Sequence, residues 1–494
     1  MGSTEGETRH LERPRLHERA LPRLHFVEGK CRVLLHDVES GDVIELGPRE
    51  WALLAHADGT RDVDGLLLAG ARDGVRVSRE EVIGLLRALD GAGMLAEGIP
   101  QKKGRSPASS EAPSGVAPEG SGARVIERLA GYGFHCDGHG SCCQLYATVV
   151  FSPLEAARAR SLLPVVLDGG ERHEHVFMPE RGAGPCAGSA VALIDGRCAY
   201  LDGALCALHR AGGADSKPLG CNLFPLSLVD DGRRVRASVS VECACVLESL
   251  GKPGGAPILP DAIRTRADLD PAIVVDELPR EVELRAGVRA PLAEYLAWSD
   301  AALDALLAGG GEVDAAQAAW ALASAVEAHG LDVERAREAF EEAGVGDLAI
   351  AAAHVKALGR KAARRAKAQN SWRSEKDLCR RGVNAIAGAA TLLADPEVLA
   401  AVALGAGAQG QDERFYLRAA LFGHQMVGYP LVTSLRDRAV AMWIARVFPL
   451  AVSALYPGED VPAFAHPLAL VEALLRGHGL RLYTEELGAG SAAS

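Results

Sequence analysis

Basic charge is in short supply in this chain: 53 lysines and arginines stand against 65 aspartates and glutamates, a formal net charge of −12. A nucleic-acid protein needs a basic face, so no nucleic-acid partner is expected. Residues 1–23 hold no apolar stretch between their charges, so neither a secretory signal nor a membrane anchor is expected there. The longest apolar run, 439–456, is interrupted by Arg446 and Pro449 and reads as a buried helix rather than a membrane span. No membrane partner and a cytoplasmic location follow as expectations. Familiar catalytic signatures are missing as well. There is no Gly-x-Ser-x-Gly, no P-loop and no His-Glu-x-x-His, and no strand runs into a Gly-x-Gly-x-Gly loop, which leaves a Rossmann-type methyltransferase pocket unsupported. The two separated Cys-x-x-Cys pairs of a zinc ribbon are also absent.

Cysteine itself is not scarce. Nine of the eleven cysteines fall between Cys136 and Cys245, in the order Cys136, Cys142, Cys143, Cys186, Cys198, Cys206, Cys221, Cys243 and Cys245. Disulfides, a metal or redox chemistry could each account for such clustering. In a reducing compartment, short cysteine spacings point to metal ligands or redox groups more than to disulfides. Thiolates are soft anionic ligands that suit zinc, copper(I) and iron–sulfur clusters, and an ion or cluster takes about four of them. Gly131, Gly133, Gly138 and Gly140 around the first group allow tight backbone turns. Adjacent Cys142 and Cys143 would point to opposite sides of an extended chain, so either the backbone turns there or the two serve different ions.

At 494 residues the chain is long enough for about three domains. Residues 32–36 and 42–46 read as two strands joined by a hairpin at 39–42. Helices are expected at 49–57, 63–71 and 79–91, the last opened by Ser78 with Glu81 in a capping box, and a return strand at 93–95. A hairpin with three helices is the winged-helix recipe. The runs SGDVIELGP (40–48), LLAHADGTRDVDGLL (53–67) and VSREEVIGLLRALDGAGML (77–95) resemble PqqD-like peptide-recognition domains. That resemblance implies a peptide adding as a strand at the small sheet's edge, beside 32–36, with pockets near Leu85 and Leu89. The alternative is a winged helix used only for internal packing. Glu80, Glu81 and Asp90 speak against DNA on the last helix. Residues 101–122, rich in Pro, Ser and Gly, read as a flexible linker that tethers this domain.

Cys136 with Cys142-Cys143, then GRCAYLDGALCALHRAGGADSKPLGCNLFPLSL (196–228) and VSVECAC (239–245), resemble the YkgJ-type cysteine-cluster family, described as zinc- or iron-chelating and related to flagellin lysine-N-methylase. The resemblance places the metal ligands on Cys136, Cys142, Cys143, Cys198, Cys206, Cys221 and Cys243, and leaves Cys186 and Cys245 as spare thiols. It departs from the family in the longer first gap and in Asn222, where an arginine commonly stands. His209 reads as a helix-face or outer residue rather than a ligand, His173 and His175 as solvated, and Phe224, Pro225 and Leu226 as cover over the site.

From about residue 289 the chain is helical in pattern, with helices expected at 291–307, 314–328, 333–343, 347–368, 376–393, 412–426, 435–455 and 466–476. Lys356, Arg360 and Arg364, with Lys361 and Arg365 beside them, make one face basic: a solvated surface, or a dock for an acidic partner. Residues 413–451 loosely resemble the helical tail of lysine-N-methylase-like proteins; His424 and Tyr416 there read as core.

The expected architecture is α+β and multidomain, mainly α: a winged-helix domain at 24–98, a linker at 99–123, a cysteine-cluster domain at 124–250 and an all-helical domain at 285–485. The expected function is a metal- or iron–sulfur-binding protein that modifies a peptide or protein substrate in the manner of a lysine N-methylase, with S-adenosylmethionine implied by family analogy alone. The alternatives are a non-catalytic binding protein stapled by its metal and a metal storage or delivery protein.

Overall fold

A computed structural model describes residues 12–37, 43–96, 124–136, 138, 140–145, 149–168, 171–179, 188–309, 314–341, 348–370, 373–375, 377–404, 410–457, 466–477 and 479–482. The fold is mixed α+β with helix predominating. The chain packs into two compact units: Met1–Glu111, Tyr146–Asn222 and Ala368–Leu378 form one; Ala112–Leu145, Leu223–Lys367 and Cys379–Ser494 form the other. The cysteine-bearing stretch is thus shared between them.

The first unit is built on a five-stranded sheet in the order Arg197–Cys198, Leu193–Ile194, Ala20–Val27, Lys30–Asp37, Val43–Leu46. Ala20–Val27 is a strand that sequence reading did not anticipate. It pairs antiparallel with Lys30–Asp37 over its whole length, from Ala20 opposite Asp37 to Val27 opposite Lys30. Between them Glu28 and Gly29 both have positive φ (50° and 73°), the condition for a two-residue hairpin whose twist matches the strands. One face of this sheet carries Ala20, Val33, Leu35 and Leu46 into a core closed by the helices Pro48–Leu54, Val63–Arg72 and Arg79–Gly91. The capping box expected at Ser78 and Glu81 is present, and Asp62 caps the preceding helix by accepting from the Gly65 N–H. The expected return strand reduces to a single bridge between Leu95 and Leu16.

The extra strand moves the sheet's edge. Residues 32–36 were expected at an edge open to a peptide, but Lys30–Asp37 has a neighbour on each side, so its N–H and C=O groups are spoken for. The outer strand on that side is Val43–Leu46. On the other side Ala20–Val27 pairs in parallel with Leu193–Ile194, His25 opposite Leu193 and Phe26 opposite Ile194. The expected tethered first domain therefore shares one sheet with the segment that carries Cys198; a strand pairing of this reach is invisible to local pattern. His25, Arg23 and His36 are buried on the face away from the helices.

A second core of the same unit gathers Phe151, Ala156, Ala159, Val176, Val191, Ile194, Tyr200 and Leu208. The helix Pro153–Leu162 is capped by Ser152 and Glu155, and the rings of Phe151, Phe177 and Tyr200 pack together. His173, expected to be solvated, is buried in the strand Glu171–His173 with its ring 4.4 Å from that of Phe26. His175 is exposed, as expected.

The other unit joins a four-stranded sheet, in the order Asp276–Glu277, Leu226–Asp230, Val235–Val239, Ile126–Arg128, to the C-terminal helices. Leu431–Leu455 runs through its middle with Trp443 fully buried against Trp320, centroids 5.3 Å apart. It is the one helix among the described residues that is by itself long and apolar enough to cross a membrane. Its interior Arg446 is held by Glu413 at 2.6 Å and Asp314 at 2.8 Å, which is how a charge is accommodated among apolar residues. On the helix Leu348–Gln369, Lys356, Arg360 and Arg364 are exposed, while Lys361 turns inward and donates to the Arg481 carbonyl at 2.6 Å.

Candidate metal centre

The expected ligands fall on both units, and among the described residues Cys142 and Cys143 are the two whose sulfurs come together. In the helical unit, Gly138 and Gly140 take positive φ and the Cys143 N–H donates to the Gly140 carbonyl at 3.0 Å, opening the short helix Ser141–Leu145. The backbone is therefore turned at Cys142 and Cys143, and their sulfurs lie 4.0 Å apart on one side. Two sulfurs each about 2.3 Å from a tetrahedral zinc would be about 3.8 Å apart, so this pair already spans one edge of such a site. Cys136 is exposed.

In the same unit Cys243 and Cys245 are buried at the start of the helix Ala244–Glu248. Ser249 donates to the Cys245 carbonyl at 2.5 Å and accepts from the His135 N–H at 2.9 Å, fixing the turn. Tyr132 donates its hydroxyl hydrogen to the Val246 carbonyl, next to Cys245 in sequence, at 3.2 Å. Burial raises its phenol well above the ordinary value, and the charges of Cys243 and Cys245 add to the rise.

In the first unit Cys198 ends the outermost strand, opposite Leu193, and Cys206 sits opposite Leu201 in a small hairpin. Both half-buried thiols pack against the core that contains Tyr200. Tyr200 stands between them in sequence, and its phenol too is raised by burial first and then by the two cysteines. Unlike Tyr132, its buried hydroxyl meets no hydrogen-bond partner. Cys221 lies in the turn Leu219–Leu223, where the Leu219 N–H donates to Glu155 at 2.7 Å. His209 is exposed on the helix Ala207–Gly212, in keeping with its reading as a helix-face residue. Cys186 lies outside the described residues.

Among the described residues no three histidine, cysteine, aspartate or glutamate side chains converge as a metal-holding group. The donor chemistry fits a soft ion, and the Cys142–Cys143 spacing fits one edge of its shell; a complete set of four is not assembled by the described residues. Comparison of the chain with protein-family models, with curated proteins and with solved structures found no match in any of the three.

Sequence reasoning missed the two tyrosines, although Tyr200 falls two residues after Cys198 and Tyr132 four before Cys136. It placed His424 and Tyr416 in the core, where both are found. Tyr416 donates to Glu472 at 2.6 Å. His424, at φ 48°, is buried with Nδ1 3.4 Å from the Tyr295 hydroxyl and Nε2 3.7 Å from Asp231. Burial pushes the Asp231 carboxyl up, but the His424 ring beside it and the hydrogen bonds from the Arg234 and Arg233 N–H groups outweigh it and hold the group well below the usual carboxylate range.

Proposed function

We propose that this protein is a thiolate metal protein of the cysteine-cluster type that captures an extended peptide on its N-terminal sheet. The observation that carries the metal reading is the 4.0 Å separation of the Cys142 and Cys143 sulfurs on one helical turn. Cys142, Cys143, Cys198, Cys206, Cys221, Cys243 and Cys136 remain the proposed donors. A bound zinc would staple the fold, and a bound iron–sulfur cluster would supply electron transfer. The chain's own contribution is to present thiolates from short turns and to keep Cys243 and its neighbour Cys245 away from water.

The peptide reading rests on Val43–Leu46, a four-residue outer strand beside the helical core. An outer strand offers unpaired N–H and C=O groups to any extended chain. Modification of the captured chain by lysine N-methylation, with S-adenosylmethionine as donor, is what the family resemblance adds, and incubation of the protein with that donor and a lysine peptide checks it.

The deciding experiment is metal analysis of full-length protein purified without oxygen. A stoichiometric metal that is lost in Cys142→Ser/Cys143→Ser and kept in Cys31→Ser supports the proposal. A brown chromophore assigns iron, a colourless loaded protein zinc. Metal-free wild-type protein, or equal loss from all cysteine variants, overturns it.

A further inference from the structure

The helix Leu348–Gln369 carries six cations, Lys356, Arg360, Lys361, Arg364, Arg365 and Lys367, and no aspartate or glutamate in its 22 residues. It does so in a chain whose acidic residues outnumber its basic ones by 65 to 53. Exposed arginines elsewhere are paired within the molecule. On the preceding helix, Val333–Glu341, Arg335 meets Glu338 at 2.5 Å and Arg337 meets Glu334; in the other unit Arg210 meets Asp202 at 2.6 Å. Lys356, Arg360 and Lys367 are exposed, and none of the three side chains makes an ion pair or hydrogen bond with a described residue. Lys367, in the last turn, is favoured by the helix dipole. Lys356 and Arg360 lie two or more turns from that end, where the dipole offers nothing and like charges one turn apart repel.

These side chains share one stripe. Ala353, Lys356, Arg360, Ala363 and Lys367 are all exposed and follow one another at steps of three, four, three and four residues, with Arg364 at the flank. Such steps keep a row on one face of an α-helix over two heptads, about 20 Å, and are the spacing by which two helices lie side by side. The opposite face is spent on the protein's own core: Ala351, Val355, Leu358 and Ala362 are fully buried. We propose that the stripe docks an acidic α-helix of a partner polypeptide, with glutamates or aspartates recurring at the same spacing as the cations. Charge and shape select that occupant. The net charge of −12 opposes a long polyanion such as nucleic acid, whose field meets the whole surface, more than a short acidic segment that meets only the stripe. Between the cations stand Ala353 and Ala363, not the bulky apolar side chains that enter a bilayer, and residues this small let a second helix approach closely.

The test titrates full-length protein into a fluorescent helical peptide with glutamates at the first and fourth positions of each heptad, and into a peptide of the same composition with that spacing scrambled. It compares wild type, Lys356→Gln/Arg360→Gln/Lys367→Gln and, as a control for charge removed from another exposed helix, Arg335→Gln/Arg337→Gln. Wild type and control are expected to bind the patterned peptide equally, the stripe variant about tenfold more weakly, and wild type to bind the scrambled peptide more weakly than the patterned one. No binding by wild type, equal binding by the stripe variant, or equal affinity for the scrambled peptide overturns the proposal. Tighter binding of a single-stranded oligonucleotide or of phosphatidylserine vesicles than of the patterned peptide also overturns it, assigning the stripe to nucleic acid or to a membrane. So does self-association of wild type that the stripe substitutions abolish, which assigns the stripe to a second copy of this chain. Should the stripe variant not fold, wild type carries the test: an affinity for the patterned peptide that falls about tenfold between about 50 mM and about 300 mM salt supports docking through these charges, and one indifferent to salt overturns it.

Discussion

In the unit built on the N-terminal sheet, Tyr200 falls in sequence between two half-buried cysteines with its hydroxyl unmet; in the helical unit, Tyr132 gives its hydroxyl to Val246, the residue after buried Cys245. The residue types are the same and the arrangements are not. Around Tyr132 the polar groups close on one another: the phenol on a backbone carbonyl, Ser249 on Cys245 and His135. That is how a fold secures a turn. Around Tyr200 the packing is complete and the hydrogen bonding is not: the ring is held by Phe151 and Phe177, and the hydroxyl has nothing to set against the cost of burying it.

Truncating the rings should separate the two most. Tyr200→Ala removes a 2 % exposed ring from between Phe151 and Phe177 and should cost about 3–5 kcal/mol, seen as a lower urea midpoint. Tyr132 is only partly buried, so Tyr132→Ala should cost clearly less. Equal losses would mean that Tyr132 is as much a core residue as Tyr200, and the contrast between the sites would fail.

The cysteines come next. Serine at Cys243 or Cys245, at 5 % and 4 % exposure, puts a hydroxyl where a thiol was buried and should cost about 1–3 kcal/mol each. Serine at half-buried Cys198 or Cys206 should cost less than about 1 kcal/mol in the metal-free protein. Urea unfolding of chelator-treated protein checks both. For metal content the expected order is different: serine at Cys198, Cys206 or Cys243, all proposed donors, should lower it, and serine at Cys245 should not.

Acid should also distinguish the units. His25 is held well below its ordinary pKa of 6.5 by burial and then by the Arg373 and Arg23 charges, which all push one way. Burial lowers His424 too, but Asp231 opposes the shift. The unfolded chain takes up a proton below pH 6.5 that the native histidine refuses, so stability is full above that value and falls as the pH drops below it. His25→Gln should therefore flatten the acid fall more than His424→Gln does, measured as urea midpoints between about pH 7.5 and about pH 5.

What the sequence disclosed about these sites followed the range of the interactions involved. The capping box at Ser78, the helix Arg79–Gly91 and the long C-terminal helices are set by residues within one or two turns, and they were legible. Ala20–Val27 was not, because it follows a charged stretch and carries Pro22, a residue uncommon inside strands, and its parallel neighbour Leu193–Ile194 lies far along the chain. The helix Pro396–Leu404 was missed beside a short turn from its predecessor. At the candidate centre, sequence could name thiols and leave open whether Cys142 and Cys143 turn together; the turned backbone after Gly140 decides it. No pattern could tell which tyrosine finds a carbonyl, since that depends on where Val246 falls.

The finest contrast is the loss of one oxygen atom. Tyr132→Phe leaves the Val246 carbonyl without its donor and should destabilise the protein by about 1 kcal/mol, the net worth of a typical hydrogen bond. Tyr200→Phe removes a buried hydroxyl that bonds to nothing, so in metal-free protein it should be neutral or stabilising by a comparable amount. Urea midpoints of the two phenylalanine variants read this directly, and a cost at Tyr200 as large as that at Tyr132 would mean that the Tyr200 hydroxyl has a partner after all.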